Sequence, residues 1–196
     1  MLAWEAIAVL LAITYLVLAI RQNIWCWAAA AVSTSIYLFI MFEARLYMES
    51  VLQLFYLGMA AYGWYQWRRH GENSKVLQVT TWPLSYHVFA IGSVLLLVFA
   101  SGHLLSQYTD AALPHVDSFT TWGAVIATYM VARKVLENWV YWFVIDAVSV
   151  GLYLNRGLLL TALLFVFYLV LIILGYRSWR ASMQEAGMDE VGTAAT

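Results

Sequence analysis

The sequence predicts an all-α polytopic membrane protein of seven transmembrane helices, and three observations lead to that class. Of its 196 residues, 64% are hydrophobic and only 11% are charged, whereas soluble domains are about 45–50% apolar and about 25% charged. Seven apolar runs approach the roughly 20 residues that a membrane-spanning helix needs. Short motifs of the first three runs recur in the last three, which indicates an internal repeat.

The seven runs follow one another with short polar breaks between most of them. The first is expected to be a retained helix rather than a signal peptide, because Glu5 stands near its start and no basic segment precedes it. Pro83 fits the start of the fourth run. Two longer loops, 68–81 and 106–118, flank that run. We place the spans at residues 2–20, 24–42, 47–67, 84–105, 119–134, 138–154 and 158–179.

Basic residues are unevenly shared between alternate loops. If the N-terminus is outside, the outer segments hold only Arg45 and Arg156, and the cytoplasmic ones hold Arg21, Arg68, Arg69, Lys75, Arg133, Lys134, Arg177 and Arg180. Because Lys and Arg concentrate in cytoplasmic loops, we predict a multi-pass inner-membrane protein with the N-terminus outside and the C-terminus in the cytoplasm. The net charge of −1 and the lack of a long basic stretch exclude nucleic acid as a partner and leave the lipid bilayer.

The repeated motifs predict a three-plus-one-plus-three arrangement in one membrane domain. The run from Gly63 to Arg68 recurs 112 residues later, whereas the pair Asn23 and Trp27 recurs 115 residues later as Asn138 and Trp142. We assign the difference to the outer turn. An offset of four spans leaves both copies in the same orientation. The predicted parts are a first three-helix repeat (1–68), a linker helix with flanking loops (69–118), a second repeat (119–180) and a disordered tail (181–196).

The sixth span contains the strongest candidate site. Trp139, Trp142, Asp146 and Ser149 fall on one stripe of a helix. A carboxyl group within a membrane usually faces a cavity or a partner, and indole rings bind flat rings and cations. The pattern favours a planar aromatic ligand, possibly a cation. A structural hydrogen bond is the alternative for Asp146, and a place in the interfacial aromatic belt is the alternative for Trp139.

The first repeat supplies further candidates. Glu49, Gln53 and Tyr56 form a polar stripe on the third span, where Glu49 could instead be solvated, and Gln53 offers both donor and acceptor to a ribose or an amide. In the second span, Trp27 and Thr34 match Trp142 and Ser149 in the predicted alignment, while Ala31 stands opposite Asp146. The two repeats are therefore chemically unequal, as a site for an asymmetric ligand requires.

The remaining reactive side chains indicate no enzyme, metal site or cofactor. Lys75 and Lys134 map to loops, which argues against a retinal Schiff base, and no hydrolase, metalloprotease or redox motif is present. His87 and His103 are interpreted as packing or interfacial residues. We assign no catalytic and no metal-binding residue.

The chain resembles the PnuC-type nicotinamide riboside transporters over nearly its whole length. The residues that carry the resemblance are Glu137-Asn138-Trp139-x-x-Trp142, Asp146, Ser149, Gly175-Tyr176-x-x-Trp179, Leu46-Tyr47, Leu52-Gln53 and Tyr62-Gly63-Trp64-Tyr65-x-Trp67. The resemblance implies a bundle akin to the SWEET proteins and a homotrimer. It also implies facilitated diffusion of nicotinamide riboside, with a cytosolic kinase trapping the substrate by phosphorylation. Asn138, Trp139, Trp142 and Asp146 are the site residues it favours.

Three alternatives remain at this point. Many family members carry asparagine at the position of Asp146, and relatives carry thiamine, flavins or deoxynucleosides, so a thiamine or other vitamin transporter is the nearest alternative. A lone buried carboxyl group would also suit proton-coupled transport. A membrane-embedded ligand sensor or an assembly subunit, which would bind without transport, belongs to another functional class.

Overall fold

A computed structural model describes residues 2–43, 47–72, 77–108, 113–155 and 159–194. Within these residues the chain forms seven helices and one isolated bridge, Thr80 with Val135. The seven predicted spans are therefore confirmed as helices. In chain order they are α1 Leu2–Ile20, α2 Trp25–Glu43, α3 Tyr47–Glu72, α4 Leu84–Tyr108, α5 Pro114–Ala132, α6 Asn138–Asn155 and α7 Leu159–Ala194. The turns predicted near residues 45 and 156, as well as Lys75, fall outside the described residues.

The predicted ends of two helices are corrected. Helix α5 begins at Pro114, within the predicted loop 106–118, because proline is well suited to the first turn, where its missing N–H has no partner to lose. Helix α7 continues to Ala194, so the prediction of a disordered tail from residue 181 is wrong. Residues 181–186 are good helix formers without proline, and extending an existing helix needs no new nucleus.

The surface of the helices suits a membrane. By length and hydropathy alone, the stretches Leu84–Tyr108 and Ala162–Ala186 can cross a bilayer, and shorter apolar helices cover Ile7–Ile20 and Trp25–Ile40. Large apolar side chains of α4 are unusually open, with Phe89 78% exposed. Contiguous apolar surface of this kind is rare on soluble monomers, because it is stable only against lipid or another protein.

The helices group into two compact units. The first contains residues 1–78 together with the chain from Ser178 onward, and the second contains residues 79–177. Within the first unit, Ser33 Oγ donates a hydrogen bond to the carbonyl of Ala8, 2.9 Å away, and so ties α2 to α1. Trp179 Nε1 donates to the carbonyl of Ala19, 3.0 Å away, at the end of α1.

In the second unit the linker helix α4 packs on α5. The ring of His115 lies over Gly102, where a Cβ would come within 2.6 Å of it. Trp122 Nε1 donates to Ser101 Oγ at 3.1 Å. A small residue on α4 thus admits an α5 side chain, and a polar pair fixes the register between the two helices.

Helices α1 and α5 end in the same turn. In the first repeat the N–H of Asn23 donates to Leu18 O at 2.9 Å, the N–H of Gln22 donates to Ala19 O at 3.0 Å, and Gln22 has φ 53°. These are the two bonds of a Schellman motif around a left-handed residue. The second repeat shows the same bonds at the same lengths, around a Lys134 of φ 51°, from Val135 to Met130 and from Lys134 to Val131.

The repeat has a single offset of 112 residues. Leu2 and Pro114 begin α1 and α5, and the residues that end these helices, the left-handed residues and the first residues of α3 and α7 are equally spaced. The 115-residue offset predicted for Asn23 and Trp27 is therefore wrong, because it matched residue types and not the turn that precedes them. The second repeat begins at 114, not at 119, and the linker ends before it.

Candidate functional site

Helix α6 holds the predicted stripe on one face. Because α6 is unbroken, Trp139, Trp142, Asp146 and Ser149 recur every three or four residues along it. The exposed fractions of Trp139, Asp146 and Ser149 are only 2%, 6% and 5%, and Trp142 is half-buried. The stripe is thus turned inward, and Trp142 is the member with the most accessible ring.

Asp146 lies buried without a partner among the described residues. None of them forms a hydrogen bond or an ion pair with its carboxyl group. Transfer of a carboxyl group from water into such surroundings is unfavourable unless a donor or a cation meets it. A positively charged or hydrogen-bonding ligand at this position would satisfy it.

Ser149 and Asn138 are already engaged in local hydrogen bonds. Ser149 Oγ donates to the carbonyl of Ile145 in its own helix at 2.9 Å, so only its lone pairs remain for a ligand. Asn138 is fully buried and donates from Nδ2 to Val135 O at 2.6 Å, which braces the turn before α6. Asn138 Oδ1 has no partner within the described part of the chain.

Trp27 and Trp139 both lie directly on a glycine of the third helix of their repeat. A Cβ on Gly175 would meet the far edge of the Trp139 ring at 2.5 Å, and a Cβ on Gly63 would overlap the Trp27 ring. Trp27 is 2% exposed, and its Nε1 finds no acceptor among the residues described. Its ring also packs edge to face on Trp67, with ring centroids 5.6 Å apart.

The predicted site residues of the first repeat belong to the other compact unit. Thr34 on α2 and the pair Gln53 and Tyr56 on α3 are half-buried. Glu49 is part of α3, but its side chain lies outside the described residues. Within its unit the structure thus groups Asn138, Trp139, Trp142, Asp146 and Ser149 at α6, and within the other it places Trp27, Thr34, Gln53 and Tyr56 on α2 and α3.

The corrected offset changes which residues of the two repeats correspond. Thr34 is equivalent to Asp146, where the predicted alignment placed Ala31, and Trp27 is equivalent to Trp139 rather than to Trp142. Trp142 and Asp146 therefore have no chemical counterpart in the first repeat. The agreement of Gly63 with Gly175 at 112 residues was the signal in the sequence that could have shown this.

A cluster on the other side of α6 was missed by sequence reasoning. Tyr141 OH lies 3.0 Å from His87 Nδ1 on α4, and the ring of Trp82 packs on His87 with centroids 5.8 Å apart. This confirms His87 as a packing residue. No local pattern could reveal the pair, because 54 residues separate His87 from Tyr141.

No group of three or more His, Cys, Asp or Glu side chains that could hold a metal ion occurs among the described residues. The chemistry available at α6 is therefore that of binding: a half-buried indole for stacking, an unpaired carboxyl group for charge or donors, and a hydroxyl oxygen as an acceptor.

Comparison with known proteins gives one consistent result. The riboflavin/roseoflavin transporter RibM of Streptomyces davaonensis is 29% identical, over 87% of this chain and 81% of RibM. The nicotinamide riboside transporter PnuC of Escherichia coli K12 is 24% identical, over 95% of this chain and 89% of its own length. The crystal structure of the vitamin B3 transporter PnuC superposes with a TM-score of 0.72 at 21% identity, over 93% of this chain and 82% of that one.

These likenesses agree with the fold and with the class of function. The superposition confirms the seven-helix, three-plus-one-plus-three membrane fold. The matching proteins are membrane transporters, which confirms that the chain is not an enzyme. The model of the family described as nicotinamide mononucleotide transporter matches residues 2–181, and the chain therefore belongs to that family.

Proposed function

We propose that this chain carries nicotinamide riboside across the inner membrane by facilitated diffusion, and that a cytosolic kinase phosphorylates the riboside and so retains it. The observation that carries the proposal is the buried, unpartnered carboxyl group of Asp146, one helical turn from the half-buried ring of Trp142. Nicotinamide riboside is a flat pyridinium cation that bears a ribose. Stacking on Trp142 and charge pairing with Asp146 would suit the ring.

The other predicted residues are assigned to the polar parts of the substrate. Ser149 retains an acceptor for a ribose hydroxyl, because its own proton is already donated to Ile145 O. Gln53, Tyr56 and Thr34 offer donors and acceptors in the first repeat. The name of the E. coli relative PnuC, a nicotinamide riboside transporter, supports this substrate.

A flavin is the second candidate, because RibM shares 29% identity with the chain and is named a riboflavin/roseoflavin transporter. Riboflavin is a neutral three-ring system, so it would use Trp142 but not the charge of Asp146. Thiamine, a second heteroaromatic cation, would use both. Sensitivity of transport to the charge of Asp146 therefore separates the flavin from the two cations.

Uptake into proteoliposomes tests the substrate. We expect saturable entry of labelled nicotinamide riboside that is blocked by a hundredfold excess of the unlabelled compound and not by riboflavin or thiamine. Uptake that only riboflavin or only thiamine blocks would reassign the substrate. Ligand binding without any flux would contradict transport and favour a sensor.

The mode of transport needs its own measurement. Facilitated diffusion predicts that the internal concentration rises only to the external one, with or without a pH gradient. Enclosing a riboside kinase and ATP should then raise the total internal label well above that level. Accumulation driven by a pH gradient without the kinase would instead indicate proton coupling.

We also propose that the N-terminus lies outside, that the C-terminus lies in the cytoplasm and that three copies assemble. The orientation rests on the excess of basic residues in the cytoplasmic segments. The trimer rests on resemblance to the family, and the large exposed apolar side chains of α4 are compatible with either lipid or a second copy. Light scattering of the detergent-solubilised protein gives its mass, and a monomer would contradict the trimer.

A further inference from the structure

We propose that Trp139 is a positioning residue, and not a ligand contact, and that its contact with Gly175 sets the rotation of α6 and thereby the direction of Trp142 and Asp146. This inference rests on the proposed transport function for its kinetic readout. It departs from the resemblance, which assigns both indoles of the Trp139-x-x-Trp142 segment to the ligand.

The first argument is the space around the Trp139 ring. Its exposed fraction is 2%. Its distal carbons Cη2, Cζ3 and Cζ2 would lie 2.5, 2.6 and 2.7 Å from a Cβ on Gly175. The ring edge therefore lies against the backbone of α7, where only a residue without Cβ can stand. A ring held in this way has no free face for a flat ligand.

The second argument is that the first repeat has the same contact. Trp27 and Gly63 stand 112 residues before Trp139 and Gly175, and a Cβ on Gly63 would overlap Trp27 in the same manner. Trp27 is also 2% exposed. An asymmetric ligand distinguishes the two repeats at positions where their residues differ. A contact that both repeats share is therefore part of the framework that holds the helices.

The third argument is the position of Trp139 on α6. It lies one turn before Trp142 and two turns before Asp146, on the same stripe. The helix can turn about its axis only if the ring leaves Gly175. Because this stripe carries both proposed ligand groups, a small rotation at Trp139 would displace them together.

The test is a double-mutant cycle at the contact. Gly175→Ala places a methyl group against the ring, and we expect about a tenfold rise in the half-saturating substrate concentration, because small displacements of binding groups weaken binding strongly. Trp139→Phe shortens the side chain at the edge that would collide. The double variant Gly175→Ala, Trp139→Phe should recover most of the lost affinity. Gly151→Ala on α6 is the matched control, since nothing lies within 4 Å of a Cβ there.

Two results would overturn the proposal. One is unchanged half-saturation in Gly175→Ala. The other is a double variant that is folded but no better than Gly175→Ala, because a ligand-contacting indole could not be exchanged for phenylalanine with a gain. The unfolding temperature gives the same cycle without any substrate. A thermal rescue in a protein that transports none of the tested vitamins would leave the Trp139–Gly175 contact established and the proposed function refuted.

Discussion

At the scale of single residues, Asp146 is buried in a way that adds nothing to stability within the described chain. It is 6% exposed and has no hydrogen-bond or ion-pair partner there. An unsatisfied buried polar group destabilises a fold by about 1–3 kcal/mol. Sites that bind ligands often retain such groups, and stabilising substitutions at them reduce function.

Asp146→Asn should therefore separate stability from transport. The amide has nearly the same shape but no charge, so we expect a higher unfolding temperature, because a neutral group is less unfavourable to bury. Transport of a cation should fall about tenfold or more, which corresponds to about 1.4 kcal/mol of lost binding. Thermal unfolding and uptake measure the two effects.

The control for this prediction is Ser149→Ala. The Ser149 hydroxyl already donates within its own helix, so its removal should change uptake by about twofold at most. Asp146→Asn with normal uptake of nicotinamide riboside would remove Asp146 from the site. Normal riboflavin uptake in the same variant would favour the flavin.

Gln22 makes a second prediction at this scale. Its φ of 53° places a residue with a Cβ in the left-handed region, where glycine is favoured by about 1 kcal/mol. Gln22→Gly should be more stable than Gln22→Ala by about that amount in thermal or chemical unfolding. Both variants lack the glutamine side chain, so their difference isolates the backbone, and equal stabilities would contradict the left-handed turn.

At the scale of elements, the segment before α4 is tied to the turn between α5 and α6. Thr80 N donates to Lys134 O at 3.0 Å, and Leu136 N donates to Thr80 O at 2.8 Å. Trp82 N donates to Glu137 Oε2 at 3.3 Å. Backbone bonds of this kind place the linker helix on the second repeat independently of the residue types involved.

Thr80→Pro tests this connection. Proline removes the N–H that bonds to Lys134 O, and the loss should destabilise the protein by about 1 kcal/mol or more. Thr80→Ala keeps the N–H and changes only an exposed side chain, so its unfolding temperature should match that of the parent. If both variants unfold at the parent's temperature, the bridge contributes nothing to stability.

At the scale of the whole molecule, the distribution of charge predicts the orientation in the membrane. The protein has one cysteine, Cys26, whose exposed fraction is 0%, so a cysteine introduced on the surface would be the reactive one. We expect Gln107→Cys, at the exposed end of α4, to react with an impermeant maleimide in spheroplasts. Arg180→Cys should react only after the cells are opened. The reverse pattern would contradict the proposed orientation.

Much of the architecture could be predicted from the sequence. Seven apolar runs became helices with bounds close to those expected, because a backbone in lipid must satisfy its hydrogen bonds within each segment. The stripe from Trp139 to Ser149 also followed from helical spacing alone. Errors arose at α5 and at the end of α7, where hydropathy falls although the helix continues.

The sequence by itself determined that the chain is a helical membrane protein with an internal repeat and an acidic, aromatic face on α6, because hydropathy and helical period are local properties. Only the tertiary structure decided the 112-residue register, the contact of Trp139 with Gly175 and the absence of a described partner for Asp146. Each of these depends on which side chains meet across dozens of residues. Packing between helices decides such contacts, and no single segment encodes them.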